Sequence, residues 1–113
     1  MTTITQLPLV NTSFLNNSDS TVYTVPTSTV AKIGRAVFCN TTASATTITA
    51  GTVNGGGALG ASGTMISARN IAPGESYVSP ELAGLVLSAG YALHVYAGAS
   101  SAVTLTISGY TIV

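Results

Sequence analysis

The sequence alternates short apolar runs with turn residues and shows no apolar spacing typical of a helix. The clearest run, at positions 103–108, places Val, Leu and Ile against Thr, Thr and Ser at alternate positions. A period of two is typical of a strand with one buried and one solvent-facing side. No helix-length window repeats apolar residues at i, i+3, i+4 and i+7. The chain is therefore predicted to be all-β.

Turn residues divide residues 21–113 into seven to nine short strands, which predicts one antiparallel β-sandwich or jelly-roll-like domain. Strands are expected at 21–25, 33–40, 45–50, 64–68, 76–78, 85–87, 91–97 and from 103 onward. After position 107 the apolar residues change parity and resume at Tyr110 and Ile112. That change predicts a one-residue β-bulge at Ser108-Gly109.

Residues 1–20 are predicted to form an extended N-terminal arm. Their apolar side chains follow neither a helical nor a strand period, and Pro8 interrupts them: Ile4, Leu7, Leu9, Val10 and Phe14. Such an arm either packs along its own domain or reaches a neighbouring subunit.

Charge is scarce, since only 5% of the residues are Asp, Glu, Lys or Arg and the net charge is zero. An average soluble protein has roughly 25%. Without a basic cluster to neutralise phosphates, we expect no nucleic-acid partner. Weak repulsion between copies favours a permanently assembled protein, such as a homodimer or homotrimer. A secreted, Thr-rich β domain has the same composition, so both interpretations stay open.

The single cysteine and two segments bear on cellular location. Cys39 is the only cysteine, which excludes an intrachain disulfide and a cysteine-based zinc site, and we expect it to be a small buried hydrophobe. Residues 1–20 lack the basic region of a secretory signal. Residues 82–99 are long and apolar enough for a membrane helix, but Ser88-Ala89-Gly90 and His94 interrupt them. Two strands around a turn are predicted there, with no membrane partner.

The segment NGGGALG contains G-x-G-x-x-G at Gly55, Gly57 and Gly60. A dinucleotide-binding turn must open a helix whose N-terminal N–H groups hold the pyrophosphate. Here the residues after Gly60 predict a loop and a strand. The Gly-Lys-Ser/Thr sequence that a P-loop requires is also missing. We therefore expect no nucleotide cofactor and interpret residues 51–63 as a flexible, side-chain-poor hairpin loop.

Catalytic and metal sites have few candidate residues. His94 is the only histidine, and a Ser-His-acid site would need Asp19, Glu75 or Glu81 without the G-x-S-x-G elbow. We expect His94 to be a hydrogen-bonded structural residue. Glu75 and Glu81 could formally be a glycosidase pair, but both follow prolines at ordinary solvated positions. No catalytic residue, metal site or cofactor is predicted, and the protein is expected not to be an enzyme.

Tyrosines offer a further possibility, a carbohydrate-binding groove, because tyrosine stacks on sugar rings. The five are Tyr23, Tyr77, Tyr91, Tyr96 and Tyr110. Most lie in predicted strands, where packing at the edge of the core with the hydroxyl in water explains them equally well.

Five segments occur in an order that resembles small β-sandwich virion proteins of tailed bacteriophages. They are VYTVP at 22–26, AVFCNTT at 36–42, IAPGE at 71–75, LVLSAG at 85–90 and SGY at 108–110. The resemblance covers residues 21–113. Similar sequences often continue the Leu-rich strand with Ala-Gly-Asp, where this chain has Tyr91.

This resemblance implies a capsid cement or decoration protein that is made in the host cytoplasm and binds the major capsid protein across subunit junctions at the capsid surface. A tail, neck or fibre component is the alternative. The group has no shared catalytic or ligand-binding residues. We expect the contact with other virion proteins to involve the arm and the glycine-rich loop, through Ile4, Leu7, Leu9, Phe14, Asn54 and Leu59.

Overall fold

Two antiparallel β-sheets pack face to face in the computed structural model, which describes residues 3–113. The strands are β1 (Ile4–Phe14), β2 (Thr21–Thr24), β3 (Val30–Asn40), β4 (Thr46–Asn54), β5 (Thr64–Ile71), β6 (Ser76–Val78), β7 (Val86–Leu87), β8 (Tyr91–Ala97) and β9 (Val103–Ile112). One 3-10 turn, Ala61–Gly63, precedes β5. The predicted all-β antiparallel sandwich is confirmed.

The chain crosses repeatedly between the two sheets. The five-stranded sheet has the order β1-β9-β3-β6, with β7 also paired to β3, and the four-stranded sheet has the order β2-β8-β4-β5. The first strand therefore pairs with the last. Most neighbours in space are distant in sequence, so strand order depends on the packing of the whole chain.

The hydrophobic core lies between the two sheets. Phe38, Leu105 and Ile107 contribute from the five-stranded sheet, and Ile48 and Val95 from the four-stranded sheet, all fully buried. Along β9, and along β3 on either side of Gly34, the inward residues alternate with outward ones, as period-two patterning requires. This leaves each sheet with an outer face.

Most of the predicted arm is strand β1, which pairs along β9. Its register shifts between Pro8 and Val10 and again between Val10 and Ser13. Each shift changes which side of the strand faces inward, so that Leu9 and Val10 are both buried. The two irregularities remove the alternation by which a strand is recognised. Residues 4–14 thus pack along their own domain.

The bulge predicted in β9 lies in the neighbouring strands instead. Ile33 pairs with Gly109 and Arg35 with Ser108, which leaves Gly34 as the extra residue of β3. On the other side of β9, Leu9 is the extra residue of β1. The prediction placed the bulge at the correct position along the sheet, beside Ser108 and Gly109, but assigned it to the wrong strand. Because β9 itself keeps its alternation, its last apolar side chains, Tyr110 and Ile112, point away from the core.

Residues 82–99 contain β7, a turn at 88–90 and β8, as predicted. Within residues 3–113, no helix is long and apolar enough to cross a membrane.

One buried polar side chain links the two sheets at the end of β3. The Asn40 amide donates to the carbonyl oxygens of Ser44 (2.9 Å) and Ile71 (3.1 Å). Its carbonyl oxygen accepts from the backbone N–H of Thr42 (3.0 Å) and from the Thr42 hydroxyl (2.7 Å). Asn40 is fully buried, so these four bonds replace the water it loses. They hold the loop after β3 against the end of β5.

Candidate protein-interaction surface

The outer face of the five-stranded sheet carries unpaired apolar side chains near one end. Ile4 of β1 pairs with Ile112 of β9, which pairs in turn with Val30 of β3. Paired residues of an antiparallel sheet project to the same side, so the three side chains form a row. Ile4 is 65% exposed and Val30 37%. No element of the described chain covers this row.

A second row lies beside the first. Gln6, Tyr110 and Lys32 are paired across β1, β9 and β3. Lys32 also pairs with Val86 of β7, which is 56% exposed. The apolar row therefore continues into a mixed row with one cation.

The other end of the same face is rich in hydroxyl groups. Thr12 and Thr106 are hydrogen-bonded through their hydroxyls at 2.7 Å. Phe14 pairs with Thr104, which pairs with Cys39, and Phe14 is 55% exposed. Cys39 is only half-buried, so the prediction that it is a small buried hydrophobe is wrong in its degree of burial.

We define the outer face by the side chains that this register directs away from the core. They are Ile4, Gln6, Pro8, Thr12, Phe14, Val30, Lys32, Arg35, Val37, Cys39, Ser76, Val78, Val86, Thr104, Thr106, Ser108, Tyr110 and Ile112. The set is apolar or hydroxyl-bearing apart from one amide, one thiol and two cations. Apolar exposure of this kind on a sheet face is typical of a surface that binds another protein.

A depression of about 400 Å³ adjoins the outer face where the bulge lies. Its lining consists of Gln6, Leu7, Gly34, Ser108, Gly109 and Tyr110. Gly34 and Gly109 leave this space open because they have no side chains, and they also allow β3 and β9 to approach each other closely. A Cβ at Gly109 would overlap the carbonyl oxygen of Lys32, and a Cβ at Gly34 would lie 3.3 Å from the carbonyl oxygen of Ser108. The depression thus follows from the local sequence of β3 and β9.

The residues predicted to contact other proteins are divided between the two sheets. Ile4 and Phe14 are exposed on the outer face, and Leu7 lines the depression. Leu9 is 9% exposed and packs in the core of its own domain. Asn54 is exposed and is the last residue of β4, which belongs to the four-stranded sheet. Leu59 is half-buried and lies in the loop that follows β4.

The glycine-rich loop is anchored to its own domain. The backbone N–H of Leu59 donates to the Asp19 carboxylate at 2.8 Å, and the Thr64 hydroxyl donates to the carbonyl of Gly60 at 2.9 Å. The Leu59 side chain lies over Gly51, where a Cβ would come within 2.7 Å of it. The flexible loop predicted at 51–63 is therefore shorter, because β4 extends to Asn54 and the later part is fastened.

His94 links this anchor to strand β2. Its Nδ1 lies 2.8 Å from Asp19 Oδ1, and its Nε2 lies 3.1 Å from the Thr21 hydroxyl. The ring is buried, with the residue 5% exposed, which confirms the prediction of a hydrogen-bonded histidine. The Leu59 N–H, followed by the His94 hydrogen bond, holds the pKa of Asp19 below its ordinary value.

This arrangement of acid, imidazole and hydroxyl follows from strand pairing. Thr21 and His94 are register partners in the β2–β8 ladder, so their side chains meet across the strands. Asp19 holds a loop with one carboxylate oxygen and the imidazole with the other. Asp19 and His94 are 75 residues apart. No local sequence pattern could have identified the pair, and its role in the fold is to fasten β2 and the loop onto β8.

The two glutamates serve separate local structures. Glu75 accepts the backbone N–H of Ala72 at 2.7 Å within its turn. Glu81 accepts the hydroxyls of Tyr77 (2.5 Å) and Ser79 (3.1 Å). The Tyr77 bond lowers the pKa of Glu81, while burial, followed by that bond, raises the pKa of Tyr77. The two carboxylates therefore accept hydrogen bonds from different groups, a backbone N–H for Glu75 and two hydroxyls for Glu81.

The tyrosines do not form one groove. Tyr23 and Tyr91 pack against the core, and Tyr77 carries the guanidinium of Arg69 over its ring at 4.0 Å. Tyr96 and Tyr110 lie on the outer faces of different sheets. Among residues 3–113, no group of three or more His, Cys, Asp and Glu side chains is arranged to hold a metal ion.

Comparisons with known proteins identify a shared fold. No protein-family model matches the chain, and no curated protein matches it. A chain in a solved structure of infectious bursal disease virus, Gx strain, matches with a TM-score of 0.54 and 11% identity over 99% of this chain and 32% of that one. A chain from the Gt strain matches with a TM-score of 0.49 and 10% identity, over 98% and 31%. This chain thus spans about a third of the length of each of these two virus chains.

Proposed function

We propose that this chain is a non-enzymatic structural protein of a virus particle, and specifically a capsid cement or decoration protein of a tailed bacteriophage. It would bind the major capsid protein across subunit junctions and lie at the capsid surface. The observation that carries the proposal is the outer face of the five-stranded sheet. That face presents apolar and hydroxyl-bearing side chains that the described part of the domain leaves uncovered.

Cement proteins act by burying surface between subunits, and this face is suited to it. Removing apolar surface from water stabilises by about 25 cal/mol per Å². Ile4, Val86 and Phe14 are each more than half exposed, so a partner could bury most of their area. A capsid repeats the same junction many times, and symmetric copies add their contacts.

The fold shared with a chain from a virus structure also supports the proposal. The Gx-strain chain that this domain resembles belongs to a virus structure, and 99% of this chain is included in the match. A sandwich of this shape can therefore serve inside a virus particle. Bacteriophage origin and the cement role rest on the sequence resemblance over residues 21–113.

The proposed contact uses part of the residues identified from sequence. Ile4, Leu7 and Phe14 lie on or beside the outer face, and we assign them to the primary contact. Asn54 and Leu59 belong to the other sheet, where they would contact a second neighbour or a second copy of the chain. A contact with a second copy would make the protein a homo-oligomer on the particle.

Electron microscopy of purified particles tests the location. We expect density for the sandwich at the outer capsid surface, with the five-stranded sheet facing the capsid. Density confined to the tail, neck or fibre would replace the cement role with that of a tail component. Absence of the protein from particles would contradict any virion role.

Paired surface variants test the binding face. We expect I4S/V86S to weaken binding to particles by about a hundredfold or more, because two apolar side chains contribute about 1.5 kcal/mol or more each when buried. Met65→Ser is the control, since Met65 is partly exposed on β5 of the other sheet. Equal occupancy of I4S/V86S and wild type, with both folded by circular dichroism, would assign binding to another surface.

A further inference from the structure

We propose that the partner surface presents carboxylates, which bind between Lys32 and Arg35 beside the depression on the outer face. The partner is a second virion protein whose acidic side chains are surrounded by apolar ones. This inference rests on the proposed virion function and adds the chemistry of the partner to it.

The bulge brings the two cations to the depression. Lys32 and Arg35 lie on either side of Gly34, the extra residue of β3. Lys32 is the register partner of Tyr110, and Arg35 is the register partner of Ser108. Tyr110, Ser108 and Gly34 all line the depression. The cations therefore stand at its border on the same side of the sheet.

Neither cation has an ion-pair partner in the described part of its own chain. Among residues 3–113, the ion pair within 4.0 Å is that of Asp19 with His94, and it involves neither Lys32 nor Arg35. The sequence has three carboxylate side chains. Asp19 binds Leu59 and His94, and the other two serve the turn at 72–75 and the Tyr77 hydroxyl. The outer face is thus cationic, and none of the side chains that define it is a carboxylate.

The same face offers neutral donors for a carboxylate. The Gln6 amide and the hydroxyls of Ser108 and Tyr110 line the depression. Hydrogen bonds to an ionised acceptor are shorter and stronger than those between neutral groups. One entering carboxylate can therefore combine a cation with a neutral donor, while the neighbouring Ile4, Val30 and Val86 bury apolar surface.

The charge of the outer face distinguishes between the possible binding partners. A two-fold contact between two copies through this face would bring four cations together without a carboxylate, because a two-fold interface uses the same patch twice. Nucleic acid is disfavoured because the chain has three cations, and the third, Arg69, lies over Tyr77. A protein that presents acidic groups among apolar ones matches both features of the face.

Lys32 is the only lysine in the sequence, which makes the proposal directly testable. A carbodiimide joins an amine to a carboxylate without a spacer, so a product at Lys32 identifies a carboxylate in contact with it. We would treat intact particles that carry the wild-type protein and identify the linked peptides by mass spectrometry. The expected product joins Lys32 to an Asp or Glu of another virion protein.

The other results each overturn the inference. A product that joins Lys32 to Asp19, Glu75 or Glu81 of a second copy would identify self-association. Protein present on particles without a product at Lys32 would overturn the acidic partner and leave the virion role standing. Wild-type protein absent from particles would overturn both.

Two variants with the same net charge measure how much Lys32 and Arg35 contribute to binding. K32Q/R35Q removes two positive charges from the face, and A89E/A99E changes the net charge equally at exposed turn positions. We expect K32Q/R35Q to lower occupancy about tenfold, while A89E/A99E stays near wild type. Wild-type occupancy should also fall with rising salt, because charge pairs at an interface are screened. Equal losses for both variants would show a net-charge effect and overturn the specific site.

Discussion

The backbone N–H of Leu59 donates a hydrogen bond of 2.8 Å to the carboxylate of Asp19, which lies 40 residues earlier in the chain. The same carboxylate holds His94 with its other oxygen. One exposed acid thus connects the glycine-rich loop to the outer side of the four-stranded sheet. A segment whose composition favours mobility is held at the backbone of Leu59 as well as at that of Gly60.

Asp19→Ala should release this loop. Hydrogen bonds to charged groups contribute about 1.5–3 kcal/mol when well shielded, and partial exposure of Asp19 reduces the expected loss of unfolding free energy to about 1 kcal/mol. Hydrogen exchange at Leu59 should become faster by at least several-fold. Ser18→Ala is the control, since Ser18 is a neighbouring exposed residue. Unchanged exchange at Leu59 would show that the loop is held by other contacts.

Stability should fall on acidification below about pH 4. The pKa values of Asp19 and Glu81 in the folded protein are below their ordinary values of 3.8 and 4.5. The unfolded chain then binds more protons than the folded one, so the stabilisation is present above the ordinary pKa and is lost as pH falls through the lowered one. Urea unfolding between pH 2 and 6 measures it. Asp19→Asn should show a smaller dependence, and an identical slope would contradict the assignment.

Asn40→Ala should destabilise the protein by about 3 kcal/mol. The change removes four hydrogen bonds and leaves the carbonyl of Ile71 and the backbone N–H of Thr42 without this buried partner. Chemical denaturation provides the free energy of unfolding. Asn70→Ala, at an exposed position of β5, should change it by less than about 0.5 kcal/mol. Comparable effects of both substitutions would contradict the role given to Asn40.

Gly109→Ala should destabilise the five-stranded sheet by about 2 kcal/mol or more, because the added Cβ overlaps the carbonyl of Lys32 and must push β3 from β9. Gly56→Ala is a matched control, since a Cβ there meets no atom within 4 Å. Thermal unfolding compares the two. If Gly109→Ala unfolds at the wild-type temperature, the strands at the depression are not in close contact.

Several elements were predictable from sequence because their signals are local. The strand at 91–97 and the one at 76–78 have the predicted bounds, and β9 begins where its alternation begins. Turn residues such as Pro73-Gly74 restrict the backbone wherever they occur. Strand β1 was missed because its two register shifts remove the alternation over residues 8–13.

The candidate surface was only partly predictable. Ile4 and Phe14 were identified as apolar residues outside the core pattern, and they are exposed on the outer face. Val30 and Val86 were missed, because an apolar residue in a strand gives no sign of which side it faces until the pairing is known. Leu9 was assigned to the contact surface together with the other apolar residues of the arm. The bulge in β1 turns its side chain into the core instead.

By itself, the sequence determined that this chain is all-β and antiparallel, since alternation and turn chemistry act over a few residues. Only the tertiary structure decided which sheet face stays uncovered, where Lys32 and Arg35 stand, and how Asp19 meets His94 across 75 residues. Those outcomes depend on strand order and register. Both are set by burial of the whole core, which no short segment encodes.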